Sequence, residues 1–521
     1  MSADEQFEAD LHRDIVEMMR RPETYGVTGP VLRKRTQIAD VFLTGEYAYK
    51  IKKPLALDFL DFSTCEKRLW ALQRELELNK RTAPDLYDRI LPITVASCGK
   101  LDLNGAGRTV DWTLRMRQFD ESKLLSNLAD DGALALELVD VLVRDLAVFH
   151  RAAEAKPGPG GAADVERTIA SIRHNAGLAC GPVFEGADVD TFCSDLTAAA
   201  AGLSQLLDVR RRDGCVRVCH GDLHLKNIFE EHGRAVMFDC IEFSERLALI
   251  DILYDLAFLL MDLDHRGLSA HANRALNGYF ENLTADEWDA NIEGLAALPL
   301  FLAMRAGVRA HSEAHVEPLG PETIDTAYRY LKRGQGYLQQ TGPVVVAVGG
   351  VSGAGKSTAA RAAAPYVGAA PGAFVLRSDE IRKRRHGLAP TEALPPEMYT
   401  REESARTYET MFSAGARALA AGRSVVFDAV FLNEAERDAA EAVAEAAGAP
   451  FFGFWLEADP SVLKARVAAR TGDASDADVG VLERQLERDP GEVSWRRIDA
   501  GGEDAAAVIK ETLALCTPAV A

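Results

Sequence analysis

The sequence predicts two consecutive domains of mixed α+β and α/β class, the second with a parallel sheet flanked by helices. Three observations carry that prediction. At 521 residues the chain is too long for one ordinary hydrophobic core. The apolar run VVVAVGG at 344–350 suits a buried parallel strand and leads directly into G-x-x-x-x-G-K-[ST]. Upstream, an H-x-D-x-x-x-x-N pattern from His220 precedes an apolar strand that ends in Asp239.

Composition narrows the function classes. Hydrophobic residues make up 47% and charged residues 26%, as in globular proteins. A net charge of −20 opposes broad binding to nucleic acid or anionic membranes, although a local basic site can differ in sign. No stretch approaches the roughly 20 apolar residues of a membrane span. The start, MSADEQFEADLHRD, lacks the cationic and apolar regions of a signal peptide. The eight cysteines are scattered, without a C-x-x-C pair, which indicates a reducing, cytoplasmic compartment.

The boundary is expected near residue 340, where YRYLKRGQGYLQQTGP closes a helical stretch. This gives a first domain over 1–340, with lobes at about 25–120 and 121–335, and a second over 343–521. In the first lobe, Val41–Pro54 reads as a hairpin. It carries Lys50, with Lys52 on the same strand face. Glu75 in RELELN is the expected acidic partner, with Glu66 the alternative.

In the second lobe, His220-Gly-Asp222-Leu-His-Leu-Lys-Asn227 and Val236-Met-Phe-Asp239 form a phosphotransfer constellation. Asp222 takes the proton of a hydroxyl, Asn227 and Asp239 hold Mg²⁺, and His220 braces the loop. Arg305 and Arg309, four apart on a helix, either line an acceptor pocket or are ordinary salt-bridged side chains.

These residues resemble the aminoglycoside phosphotransferase and choline-kinase-like family over about 25–335. HGDLHLKN matches its catalytic loop, Asp251-Ile-Leu-Tyr-Asp255-Leu-Ala its D-x-x-x-D-L-A helix, and LVRDLAVFH (142–150) its preceding helix. The resemblance implies a bilobal protein-kinase-like fold, with Asp255 tying down the catalytic loop. Two departures from protein kinases, no G-x-G-x-x-G before the lysine strand and Asp239-Cys240 in place of Asp-Phe-Gly, favour the small-molecule branch.

In the second domain, Gly350, Gly353, Ala354, Gly355, Lys356, Ser357 and Thr358 form a P-loop between a strand and a helical stretch. Its backbone wraps phosphate oxygens, Lys356 reaches the β- and γ-phosphates of ATP, and Ser357 ligates Mg²⁺. A strand over Ala373–Ser378 delivers Asp379 and Arg382 to the carboxyl edge of the sheet; Asp379 is a proton acceptor or a helix N-cap. SVVFD ends in Asp428, a Walker-B-like metal position, and FFGFWLE is a fourth strand. Arg466 and Arg470 then share a helical face before the polar loop TGDASDADV.

GGVSGAGKST, the S-D-x-x-R of Ser378–Arg382, VVFDAVF and the R-x-x-x-R segment resemble P-loop kinases of the polynucleotide kinase, gluconate kinase and zeta toxin group. The resemblance covers about 343–521 and implies a P-loop NTPase fold. It also implies Asp379 as general base, Arg382 as acceptor-positioning residue, and Arg466 and Arg470 as lid arginines. The expected function is a bifunctional ATP-dependent phosphotransferase acting on small-molecule hydroxyls such as sugars, sugar acids or aminoglycoside-like compounds. Two other readings stay open: a 5′-hydroxyl polynucleotide kinase in the second domain, supported by the basic strip Arg382–Arg385, or a nucleotide-gated regulatory module in one half.

Overall fold

The computed structural model describes residues 3–57, 60–156, 158–316, 318–339, 341–470 and 474–516. Thr471–Asp473, the start of the polar loop after Arg470, lie outside the described residues. The chain forms two compact units. Compactness divides it differently from the sequence linker near residue 340.

One unit holds Met1–Leu138, Val148–Gly160 and Gly214–Asp255. Its main sheet has six antiparallel strands in the order Leu32–Arg35, Ala39–Leu43, Tyr47–Lys52, Arg108–Arg117, Tyr87–Val95 and Leu101–Leu103. Lys50 pairs with Val41 on one side and Leu114 on the other, so the expected lysine strand is an interior strand of the sheet. Ile15 and Met19 of the helix Ala3–Met19 bury against Phe42, Ile51 and Ile93. The helix Cys65–Asn79 starts at Thr64, whose side chain accepts from Lys67 N–H, and buries Leu72 among Leu86, Tyr87, Leu114 and Phe229. The hairpin Ile228–Glu231 with Arg234–Met237 follows the H-x-D-x-x-x-x-N loop and delivers Asp239.

The other unit holds Val139–Ala147, Gly161–Asp213 and Leu256–Ala521. Its five strands run parallel in the order Phe374–Arg377, Val425–Asp428, Val345–Gly349, Phe451–Glu457 and Arg496–Asp499. Val345–Gly349 is buried throughout because it is central and covered on both faces. The helix Lys356–Ala363 returns over the sheet and packs Ala359, Ala360 and Ala363 against Val346, Val348 and Val426. The expected α/β domain with a parallel sheet flanked by helices is thus present. Ser378 opens a helix rather than ending the strand, and Arg496–Asp499 adds a fifth strand without an apolar run, since Ile498 alone points inward.

The edge strand Phe374–Arg377 is covered by the helix Ser269–Glu281 of the same unit. Asn277 accepts Val375 N–H at 2.8 Å and donates to the Ala373 carbonyl at 3.2 Å. Asn273 donates to the Pro371 and Ala373 carbonyls at 2.9 and 3.0 Å. Two buried amides thereby satisfy backbone groups that an open sheet edge would expose. The helical run Ala285–Ala314 has the length and apolarity of a membrane span, unlike the sequence expectation, but most of its apolar window is buried within the protein.

Replacing Asn277 by Ala strands the Val375 N–H in this buried edge. Urea denaturation should show a loss of about 1–3 kcal/mol.

Candidate active sites

In the first unit Lys50 belongs to a cluster of paired charges. Lys50 Nζ lies 2.7 Å from Glu75 Oε1 and 2.8 Å from Asp239 Oδ1. Lys52 Nζ pairs with the other Glu75 oxygen at 2.6 Å and with Glu242. Burial pushes the Glu75 carboxyl up, but the two ammonium groups outweigh it and hold its pKa below the ordinary range. Burial likewise opposes the charged form of Lys50, yet Asp239, Glu75 and Glu242 keep its pKa well above the ordinary lysine value. Glu66 stands in the exposed first turn of the same helix, away from this cluster.

The loop from His220 is tied from below. Asp255 accepts the His220 N–H at 3.0 Å and the Gly221 N–H at 2.9 Å, and His150 Nε2 lies 3.1 Å from the same carboxylate. His220 Nε2 meets the Phe238 carbonyl at 2.9 Å, joining the loop to the strand before Asp239. Gly221 has φ +85°, and a Cβ there would press on Ile241 and the Leu247 carbonyl, so glycine is required. Asn227 donates its amide to Asp222 Oδ2 at 2.8 Å, and His224 Nε2 lies 3.3 Å from the same oxygen. Asp239 sits at φ +61°, a strained backbone for a residue with a side chain, and its N–H donates to the Tyr87 hydroxyl. Sequence reasoning missed Tyr87, Glu242 and Asn79, which accepts the Cys240 N–H at 2.8 Å. Asn79 ends the helix that carries Glu75, Tyr87 begins a strand and Glu242 follows Asp239 by three residues, and none of them carries a motif of its own.

The second site is a backbone cradle at the carboxyl edge of the parallel sheet. Gly350, Gly353 and Gly355 all have positive φ, and a Cβ on Gly353 would lie 2.8 Å from the Leu463 carbonyl. Ala354 is fully buried beneath the loop, and Lys356, Ser357 and Thr358 begin the helix whose N-terminal amides face the cradle. Lys356 Nζ donates to the Val351 carbonyl at 3.0 Å; burial lowers its pKa, with Asp428 and Asp379 opposing.

Asp379 is the second residue of the helix Ser378–Arg385, whose N-cap is Arg377 with no side-chain bond, so the capping alternative for Asp379 does not hold. Arg382 is buried over the Tyr399 ring at 5.1 Å, and its Nε has no hydrogen-bond partner among the described residues. Arg466 donates to the carbonyls of Gly353 and Ala500 at 3.5 and 2.9 Å. Arg470 follows the end of that helix in extended backbone rather than lying on its face. Its charge reaches Lys356.

Asp428 is buried at the strand end, where Arg377 donates to it at 3.1 Å and to the Ser357 hydroxyl at 3.0 Å. Sequence reading had placed Arg377 only within a strand. The basic strip Arg382–Arg385 turns inward: Lys383 bonds Asp476 at 3.0 Å, Arg384 stacks on Trp288, and Arg385 bonds Glu403. Arg309 pairs with Glu313 on its own helix, and Arg305 stacks 4.6 Å from the Phe258 ring.

Comparison with known proteins agrees with this division of labour. A family model described as a phosphotransferase enzyme family matches residues 72–290, and one described as an AAA domain matches 345–489. Uncharacterized proteins of Mycobacterium tuberculosis and Mycobacterium bovis are 30% identical over 484 residues, covering 90% of this chain and 92% of theirs. The chain belongs to their family. This chain carries both matches, and it is an ATP-dependent kinase. Among solved structures, a choline/ethanolamine kinase family protein from Mesorhizobium loti is similar at 14% identity and TM-score 0.39, over 64% of this chain and 95% of its own. A gluconokinase from Sinorhizobium meliloti is similar at 28% identity and TM-score 0.22, over 33% and 91%.

Glu75→Gln leaves two buried ammonium groups short of a countercharge. Unfolding measurements should show a loss of about 3–5 kcal/mol at neutral pH, whereas Glu66→Ala should leave the midpoint unchanged. Because folding lowers the Glu75 pKa, its stabilisation is present above the unfolded value of about 4.3 and is lost as pH falls toward the folded value. The acid limb of stability against pH should therefore be flatter in Glu75→Gln.

Proposed function

We propose that the chain is a bifunctional phosphotransferase with two separate Mg–ATP sites, each phosphorylating a hydroxyl group of a small molecule such as a sugar, sugar acid or aminoglycoside-like compound. One observation supports the reading: each of two unrelated regions brings together a lysine, oxygen donors suited to a hard cation, and a further carboxylate. The sets are Lys50 with Asn227, Asp239 and Asp222, and Lys356 with Ser357, Asp428 and Asp379.

The donor chemistry fits Mg²⁺ in both places, since carboxylate, amide carbonyl and hydroxyl oxygens are its preferred ligands. Asn227 turns its amide nitrogen toward Asp222, which leaves its carbonyl oxygen as the atom it would offer a metal. When bound, the metal neutralises charge on the transferring and leaving phosphate oxygens. Lys50, fixed by Glu75, orients the nucleotide phosphates in the first site. Asp222, held by Asn227, accepts the acceptor's hydroxyl proton as its oxygen bonds the γ-phosphorus and the bond to the β–γ bridging oxygen breaks, releasing ADP. In the second site, the P-loop amides and Lys356 hold the phosphates, Asp379 takes the proton, and Arg382, Arg466 and Arg470 orient acceptor and phosphate. The inward-turned basic strip and the net charge of −20 favour small acceptors over nucleic acid in this domain.

A panel of hydroxyl compounds incubated with the full-length chain and ATP should yield two classes of phosphorylated product. Asp222→Asn should slow one by about 10²–10⁴-fold and spare the other; Lys356→Ala should do the converse. Absence of any phosphorylated product, or loss of both activities through either substitution, overturns the proposal.

A further inference from the structure

An unbroken series of alternating charges runs from the helix Ser269–Glu281 to the P-loop site, all within one compact unit. Arg274 Nη1 lies 2.8 Å from Glu281 Oε1 and also pairs with Asp140. The Arg361 Nη2 group is shared between Glu281 at 3.2 Å and Glu380 at 3.1 Å. Glu380 in turn pairs with Arg377, which donates to both Asp428 and Ser357. Arg361 is on the helix that starts at Lys356, and Glu380 is on the helix that carries Asp379. Burial raises the Glu380 carboxyl and Glu281 raises it further, whereas Arg361 and Arg274 pull Glu281 down against its own burial.

The arrangement makes Arg377 a competitor. Its guanidinium bonds the two oxygens, Ser357 Oγ and Asp428 Oδ2, that the proposed metal site would use. A cation at these residues would stand beside the guanidinium, and the two like charges repel, so metal entry is easier the further Arg377 yields toward Glu380. The charge available on Glu380 depends on how far Arg361 is drawn away to Glu281. We infer that Glu281 is a positioning residue for the P-loop metal site, acting through Arg361, Glu380 and Arg377 to set how readily Mg²⁺ enters. The inference rests on the P-loop reading above and assigns a remote acidic side chain, encoded before the linker near residue 340, to that site's control.

The test is Mg²⁺-dependent binding of a fluorescent ADP to the full-length chain in an Asp239→Asn background, where the first metal site is removed. Glu281→Gln should raise the half-saturating Mg²⁺ by about two- to fivefold, the range expected within one ion-pair network. ADP binding without metal should stay unchanged. Arg361→Gln, which leaves Glu380 freer to draw Arg377, should shift the Mg²⁺ requirement the opposite way. In an Arg377→Ala background, Glu281→Gln should have no effect, because the relay acts through that guanidinium. An unchanged Mg²⁺ requirement in Glu281→Gln, equal loss with and without metal, or persistence of the effect without Arg377 overturns the inference. Failure of the underlying P-loop reading looks different: Lys356→Ala would then leave ADP binding intact.

Discussion

A charged side chain taken out of water costs several kcal/mol unless opposite charge or hydrogen bonds meet it, and the contact of Lys50 with Glu75 is where the first site meets that demand. Glu75 is fully buried, and each of its oxygens faces a different ammonium. Lys50 extends the pairing to Asp239 and Lys52 extends it to Glu242. One strand, one helix and the segment after Phe238 are thus fixed in a single register, because no member of the cluster can leave without stranding another. The loop from His220 obeys the same rule by other means. There the buried Asp255 carboxylate is met by two backbone amides and His150, which turns a costly charge into a clamp on Gly221.

The P-loop site depends first on backbone shape. Its cradle exists because glycine at 353 leaves room for the Leu463 carbonyl and adopts a φ other residues avoid. The parallel sheet then sets chemistry by register: Val348 pairs with Asp428 and Arg377 pairs with the same aspartate, so three strand ends converge at one edge. Charge enters second, through Lys356 and the series that reaches Arg377. A cradle of amides can bind phosphate without that series, whereas the charge around Asp428 is set by side chains.

Much of this was legible in the sequence wherever a local pattern carried it. The P-loop, the four strands with apolar runs, the hairpin bearing Lys50 and the H-x-D-x-x-x-x-N loop each have a spacing imposed by backbone geometry. What stayed hidden had no local signature. Arg377 reads as one charge in AFVLRS, and its role follows only from a parallel partner strand 51 residues away in sequence. The strand Arg496–Asp499 buries one side chain, so periodicity does not announce it. The helical face expected to carry both Arg466 and Arg470 ends at Ala469, since a helix terminus depends on what the next residues bond.

The linker and the compact units answer different questions, and their disagreement is informative. Glycine and proline near residue 340 mark where the chain changes from helix to strand. Compactness reports where side chains find partners, and the helix Ser269–Glu281 finds its partners on the P-loop sheet edge through Asn273 and Asn277 and on the helix after the P-loop through Glu281. An edge strand needs its exposed amides covered, and the chain covers this one with residues encoded well before the linker. A P-loop fragment starting at 343 would therefore lose the hydrogen bonds to Ala373 and Val375 and one of the two countercharges on Arg361 together. The helix that lies inside the phosphotransferase family match is thus a structural part of the same compact unit as the P-loop sheet, held there by buried polar chemistry.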